Sequence, residues 1–571
     1  MAADTCETVA GAYLALLASR GVEVLFGNAG TDFAPLIEAY AEATQKGVAV
    51  PVPILATHEN LAVTMAHGYG MVTRRVPSVM VHVSVGTANM VCAAMNAARE
   101  NVAILLTAGR TPLNEQGRLG ARDGYIHWAQ EMYDQAGTIR ELVKWDYELR
   151  NAEQLETVVD RALCIAASEP RGPVYLSLPR EVLAEAAPAT MRAATRMRAA
   201  ASPAPDAVSI AAAAELLAGA HRPVIITCNA GREAGGFPAL AAFAERFAIP
   251  VVQHKPRYLS LPSSHAMNLG YEPKRVVDEA DVILALECDV PWIPVQAAPR
   301  DECRVIQCGI DPLHSTIPIR GFASDVTIAG GTVACIAALT QALAKSTDTG
   351  RIAARCKWVR EQRAVLLAGA QQTRDAAQRR SPMHPAWVSH CIGEAKDERA
   401  ILVNEYTLML EHCSIEHADC YFGSSAASGL GWGAGAALGA KLGVRSVGSD
   451  REVIAVLGDG AYMFANPLAV HHAAALHELP VLFVVMNNQM WNAVRHFTVA
   501  MYPDGRTAKS NDQPFTRLDK LPAFEQVCIA AGGHGERVEE PQALPGALAR
   551  ALSVVRNEKR QALLNVMCGV D

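Results

Sequence analysis

Short apolar runs alternate along this chain with longer helical stretches, an order of parts that describes strands feeding covering helices. In residues 1–185 such runs occur at 22–26, 79–83 and 102–106. Strands apolar on both faces belong to a parallel sheet with helices on either side. Residues 186–207, with Pro188, Pro203 and Pro205 among alanines and with Arg192, Arg196 and Arg198 dispersed through them, read as a solvated linker. A second α/β unit occupies 208–345, with strands expected at 224–226, 251–252, 282–286 and 305–306. Residues 346–380 turn helical and charged, a second linker, and Pro382 and Pro385 introduce a third unit over 381–571. The expected fold is therefore α/β, three doubly wound parallel-sheet domains. The sequence 79–83, Gly86-Thr87, helix to Glu100, then 102–106 has the same order of parts as 454–457, Gly458 to Gly460, helix, then 481–486. All parallel α/β units share that order, so it marks common architecture as readily as duplication.

A chain of 571 residues suits three domains, and with 50% apolar residues, 19% charged and a net charge of −7 it has an ordinary globular composition. Basic residues are dispersed, which excludes a nucleic-acid footprint. The 14 cysteines lack any Cys-x-x-Cys and sit in apolar runs such as Val91-Cys92-Ala93 and Ile226-Thr227-Cys228, so they read as buried thiols of a reduced protein, not as a zinc or disulfide frame. Asp4 and Glu7 stand where a secretion signal needs a basic start, and no apolar run reaches eighteen residues, so a cytoplasmic protein without a membrane partner is expected.

The chemistry concentrates near the carboxyl terminus. Gly458-Asp459-Gly460 is followed, after 26 residues, by Asn487-Asn488, and an apolar run precedes each. Both polar pairs should then emerge at one carboxyl edge of a parallel sheet, where ligands bind. A carboxylate beside an amide oxygen suits a hard cation such as Mg2+ or Ca2+, while the glycines admit a phosphate and the following helix start favours an anion. Either pair alone is an ordinary turn. Together they describe a site for a metal-bridged diphosphate, and no P-loop pattern competes.

With these motifs the sequence resembles, over essentially its whole length, the thiamine-diphosphate enzymes of the acetolactate synthase, pyruvate decarboxylase and benzoylformate decarboxylase type. The resemblance implies thiamine diphosphate and Mg2+ as cofactors, with metal ligands Asp459, Asn488 and the carbonyl of Met490, and cofactor contacts from Gly458, Asp459, Gly460 and Ala461. The gap is slightly longer than in similar members, and Asn466-Pro467 is where the extra residues fit. Glu59, in Thr57-His58-Glu59-Asn60, matches the acid that hydrogen-bonds the cofactor's aminopyrimidine; from the residues alone it is equally an ordinary helix-start acid. Ser428-Gly429-Leu430-Gly431 matches the loop that props the bent cofactor, with Leu430 as prop and Ser428 offering its carbonyl, and Asn404 and Thr407 match positions lining the diphosphate.

Further positions are similar to benzoylformate decarboxylase. The loop 27–31 implies that Asn28 and the Thr31 hydroxyl face the substrate, with Ala29 in place of a usual proline, and His82 matches a histidine that handles protons. Trp491, Ala493 and Phe497 match the substrate-pocket helix, Ala493 and Phe497 sharing a face at i and i+4. The stretch 287–294 lacks the middle-domain histidine of that decarboxylase, whereas 127–131 resembles an acetolactate-synthase segment that would bring Gln130 to the substrate. What the resemblance implies is cleavage of the C–C bond next to a carbonyl, foremost decarboxylation of a 2-oxo acid; carboligation or 2-hydroxyketone cleavage is the alternative, and a non-catalytic homologue a third. It also implies a homodimer or homotetramer in which Glu59 and Asp459 of one site come from different subunits. No flavin is expected in the middle domain.

Overall fold

The computed structural model describes residues 6–192, 195, 197–346, 348–510 and 513–570; Asp4 and Arg196 lie outside the described residues. Three sheets follow one another along the chain, and every strand pair in them is parallel. The first contains β1 (Val24–Gly27), β2 (Val52–Leu55), β3 (Ser78–Val81), β4 (Leu105–Arg110), β5 (Asp146–Glu148) and β6 (Val174–Pro179) in the order β2-β1-β3-β4-β6-β5. The second contains β7 (Pro223–Thr227), β8 (Val251–Gln253), β9 (Val282–Leu286), β10 (Arg304–Gly309) and β11 (Val326–Ala329), ordered β11-β10-β9-β7-β8. The third contains β12 (Ile401–Glu405), β13 (Tyr421–Gly423), β14 (Val453–Gly458), β15 (Leu482–Asn487), β16 (His534–Val538) and β17 (Ala562–Met567), ordered β13-β12-β14-β15-β17-β16. The outer sheets thus share one strand order, and the parallel noted between residues 79–106 and 454–486 falls on the third and fourth strands of each. Central strands such as β15 are buried along their whole length, as two-sided helical cover requires.

Three local expectations are corrected. Gly86-Thr87 lies inside the helix and not before it: the helix Val83–Arg99 begins directly after His82, and Thr87 Oγ1 bonds the Val83 carbonyl within its first turn at 2.7 Å. The run 102–106 becomes a strand only from Leu105, because Val102 N still donates to Ala97 O and closes the preceding helix. β11 is an additional strand in the middle sheet, too short and half-exposed to stand out as an apolar run. The helix Thr349–Ala377 lies in the charged segment, yet it is anchored: Val359 is buried in the middle core, and the buried Arg355 guanidinium donates to the carbonyls of Leu217, Ala220 and Phe247.

The first and third domains meet where the helix Glu59–Thr73 crosses the helix Trp432–Ser446. A β-carbon on Gly435 would sit 2.0 Å from Thr64 Oγ1, and one on Gly439 1.8 Å from the Met65 carbonyl oxygen. Backbones meet here almost without intervening side chains, and residues of both domains join one apolar core. Most cysteines are buried thiols, but Cys92 is exposed, contrary to its apolar sequence context; its sulfur lies beside the Gly429 loop, 2.9 Å from where a β-carbon of Gly429 would stand.

Candidate active site

The carboxyl ends of β14 and β15 are neighbours, with Gly458 paired to Met486, so the two polar motifs emerge side by side. Asp459 begins the helix Asp459–Phe464 and is buried; its Oδ1 accepts from Gly460 N at 2.8 Å and its Oδ2 from Gln489 N at 2.6 Å. The helix therefore starts one residue before Gly460, and it ends at Phe464, where Asn466 takes a left-handed conformation (φ 56°) before a second helix, Pro467–Leu476. Asn487 and Asn488 divide the work. Asn487 is buried, donates to Asn565 Oδ1 at 3.0 Å and accepts from Gln489 N at 3.1 Å, a structural role backed by Asn565 donating to Glu525. Asn488 is half-buried and, among the described residues, its Oδ1 accepts only its own turn's Met490 N, at 2.9 Å.

Burial pushes the Asp459 carboxyl up, and the N–H groups of Gly460, Gln489, Met490 and Asn488 offset this only in part. A cation at this place would balance that buried charge, and a carboxylate with an amide oxygen is the donor set Mg2+ prefers. Beside it, the Thr407 Oγ1 is buried without a partner, and the Thr407 methyl lies 3.5 Å from where a β-carbon of Gly458 would stand. An orphaned hydroxyl on a residue that borders a glycine turn is what a bound phosphate would satisfy, so the residues present fit both groups. Asn404 differs from expectation: its amide is occupied by Tyr421 OH and Leu408 N, so it shapes the Thr407 turn and does not present its own amide. Ala461 is buried within the helix. Trp491 is half-buried over the turn, so close that a β-carbon on Gly460 would be 2.2 Å from its ring, and it meets Phe464 edge-on at 5.9 Å between centroids. Ala493 and the 71%-exposed Phe497 lie on the helix Asn492–Met501, none of whose side chains is buried within the chain.

The Ser428 to Gly431 loop is held from two sides. Asn96 of the first domain accepts from Gly429 N at 3.0 Å and donates to Gly429 O at 2.8 Å, while the buried Glu405 accepts from Gly431 N at 2.9 Å and Gly433 N at 2.7 Å. Burial pushes the Glu405 carboxyl up to about 7, against the pull of those amides. Ser428 is exposed with φ 55°, and Leu430 is half-buried.

In the first domain, Glu59 is buried at the first position of its helix, capped by His58, and its Oε2 accepts from Asn89 Nδ2 at 3.1 Å. The end of β3 places His82 next to the loop after β1. Its Nδ1 lies 2.6 Å from Asp32 Oδ1, and its Nε2 lies 3.3 Å from Gln130 Nε2. A carboxylate only accepts, so Nδ1 carries the proton and Nε2 is left as the working nitrogen. Gly30 makes room: a β-carbon there would stand 2.1 Å from His82 Nδ1. Asn28 is half-buried, and Thr31 is exposed at the head of a short 3-10 turn. The structure thus brings His82 and Gln130 together and adds Asp32, Glu405, Asn89 and Asn96, none of which the sequence singled out.

A cleft of about 500 Å³ separates the middle and third domains, lined among others by Asn404, Tyr406, Ser428, Val290 and His254. In the stretch 287–294, which holds no histidine, Asp289 is buried; burial works to raise it, but Arg257, 2.9 Å away, holds its carboxyl at about 2. Cys228 and Cys288, 60 positions apart, meet beside it with sulfurs 2.9 Å apart.

Family models for the thiamine pyrophosphate enzyme match the chain in three consecutive parts: the N-terminal TPP binding domain over residues 7–138, the central domain over 210–339 and the C-terminal TPP binding domain over 405–566. The chain belongs to the thiamine pyrophosphate enzymes. Benzoylformate decarboxylase of Pseudomonas aeruginosa is 27% identical, covering 96% of this chain and 97% of that protein. Sulfoacetaldehyde acetyltransferase of Rhodobacter capsulatus is 25% identical over 96% and 92%. Among solved structures, the benzoylformate decarboxylase of Polynucleobacter necessarius (TM-score 0.79, 19% identity, 99% of both chains) and the thiamine diphosphate-dependent 4-hydroxybenzoylformate decarboxylase of Rhodococcus jostii RHA1 (TM-score 0.77, 21% identity, 99% of both) share the fold. The matched parts carry the Asp459 turn in the C-terminal TPP binding domain and Glu59, His82 and Gln130 in the N-terminal one.

Proposed function

We propose that this thiamine pyrophosphate enzyme, with Mg2+, cleaves the bond next to the carbonyl of a 2-oxo acid without oxidation, releasing CO2 and an aldehyde. The observation that carries this is the Asp459–Asn488 turn beside the orphaned Thr407 hydroxyl. Asp459, Asn488 and the Met490 carbonyl would hold the metal, Gly458 to Ala461 and Thr407 the diphosphate, and Ser428 to Leu430 the aminopyrimidine. The cofactor, when bound, supplies an electron sink at its thiazolium carbon. Glu59 holds a proton at the pyrimidine ring; His82, oriented by Asp32, offers Nε2 as general acid and base; Thr31 and Asn28 orient the substrate. Likeness to benzoylformate decarboxylase over 96% of the chain supports decarboxylation.

Gln130 beside His82 favours a second reading, carboligation or cleavage of a 2-hydroxyketone, and acetolactate synthases at 24–25% identity support it. Presence of Glu59, Asp459 and Asn488 together weighs against a non-catalytic homologue. Exposed apolar side chains on Val83–Arg99 (Val85, Met95) and Asn492–Met501 (Val494, Phe497, Met501) support a homodimer or homotetramer completing each site. Among the described residues no helix is long and apolar enough to cross a membrane, and the free thiols favour a cytoplasmic setting.

A screen of aliphatic and aromatic 2-oxo acids, with thiamine diphosphate and Mg2+ added and CO2 and aldehyde measured, tests the proposal. Aldehyde stoichiometric with CO2 is expected; stoichiometric acyloin without free aldehyde would replace decarboxylation by carboligation. Glu59→Gln should abolish turnover while leaving Mg2+-dependent cofactor binding intact.

A further inference from the structure

The helix Val83–Arg99 touches the candidate site at three places. His82 is its N-cap, Asn89 donates to Glu59, and Asn96 grips Gly429. The three residues are seven positions apart. Seven residues are nearly two α-helical turns, about 10 Å of rise with about 20° of drift, so Asn89 and Asn96 lie on one stripe that begins at His82. Across the stripe, the first domain's helix supplies both halves of a two-point grip on a loop of the third domain, and the only side chain bonded to the Glu59 carboxylate among the described residues.

We propose that Asn89 and Asn96 are positioning residues: Asn89 fixes Glu59 Oε2 so that Oε1 is presented to the cofactor, and Asn96 fixes the Gly429 backbone so that Leu430 and the Ser428 carbonyl stand in register. The inference rests on the cofactor assignment above. Asn96 is suited to the task because it is 1% exposed and bonds both the N–H and the C=O of Gly429, gripping the peptide units on either side of that α-carbon, which sets orientation as well as distance. A buried asparagine serving only the first domain's core would bond within that domain. Asn89 is exposed, so its bond to Glu59 contributes little to the fold and its effect is confined to the carboxylate. Glu405, gripping Gly431 and Gly433, closes the loop from the other end, and Leu430 is left between two fixed points.

The test uses the full-length protein with thiamine diphosphate and Mg2+, and compares Asn89→Ala and Asn96→Ala with Leu430→Ala and Glu59→Gln. Three quantities are read: the cofactor Kd from tryptophan fluorescence quenching, the near-ultraviolet circular dichroism of the bound cofactor, and kcat against KM. Asn89→Ala should lower kcat about tenfold or more, the weight of a hydrogen bond to a charged acceptor, with KM, Kd and the thermal midpoint of the cofactor-free protein unchanged. Asn96→Ala should weaken the Kd about tenfold and change the dichroism in the same direction as Leu430→Ala. Should Asn96→Ala fail to fold, Asn96→Ser, a neutral side chain too short to reach both Gly429 groups, should show the same changes. Wild-type kcat in Asn89→Ala, or wild-type Kd and dichroism in a folded Asn96 variant, overturns the proposal while Leu430→Ala and Glu59→Gln remain impaired. Full turnover in Glu59→Gln overturns the cofactor assignment together with it.

Discussion

Glu405 offers a quantitative check on the electrostatics of the site. Its carboxyl binds a proton more tightly in the folded chain, at about 7, than in an unfolded one, at the ordinary 4.5, because burial disfavours the charge. Folding is therefore helped by protonation: this contribution to stability is full below about 4.5 and is lost progressively as pH rises to about 7. The shift corresponds to about 3 kcal/mol in total. Glu405→Gln cannot ionise and loses the slope, while its amide nitrogen opposes one of the two backbone donors at Gly431 and Gly433, a loss of about 1–3 kcal/mol at every pH. The variant should be the less stable protein near pH 5, and the gap should close or reverse by pH 8. Urea or thermal unfolding of both proteins at pH 5, 6, 7 and 8, with hydrogen exchange at 429–435 to localise the change, measures it. Parallel stability curves across that range would falsify the assignment of a burial-raised carboxyl at this position.

Four further outcomes follow from the same contacts. Asp32→Asn should reduce kcat about tenfold to a hundredfold with cofactor Kd unchanged, since one amide oxygen then replaces the two carboxylate oxygens that accept from His82 Nδ1 and Val83 N; steady-state kinetics and cofactor titration check this. Asp459→Ala or Asn488→Ala should remove Mg2+-dependent cofactor binding, read by calorimetry. Gly439→Ala should destabilise the chain by about 1–3 kcal/mol or more, because its β-carbon meets the Met65 backbone oxygen at 1.8 Å, and Gly443→Ala, whose nearest contacts are side chains at 3.2 Å, should be milder; thermal midpoints distinguish them. Tyr462→Phe should cost about 1–2 kcal/mol in unfolding experiments, since the buried Tyr462 hydroxyl donates to His471 Nε2, and His471 Nδ1 to Gln561.

The three sheets and the paired glycine and asparagine motifs were legible because both are local: apolar runs reveal strands, and two motifs following strands must share an edge. Glu59 was singled out only through the family resemblance that the distant metal motif introduced, since a helix-start acid carries no mark of its own. Asp32 was not, although topology contained the clue. β1 and β3 pair with Gly27 opposite Met80, so the loops carrying Asp32 and His82 leave the sheet as neighbours. Reading that from sequence requires the strand order, not the strands. Glu405 was hidden for a different reason: its partners are backbone amides 26 and 28 residues on, and a backbone group leaves no mark in composition. Cys92 departs from its apolar context because it sits four residues before Asn96, against the Gly429 loop, and composition does not show which helix face meets another domain's loop.

The helix Asn492–Met501 gives the chain's core none of its side chains. Variation at Ala493 or Phe497, the positions proposed to line the substrate pocket, should therefore change what the enzyme accepts with little penalty to the scaffold of a single subunit. Diversified libraries aimed at new acyl groups should begin there, whereas the glycine crossing between the first and third domains tolerates almost no exploration.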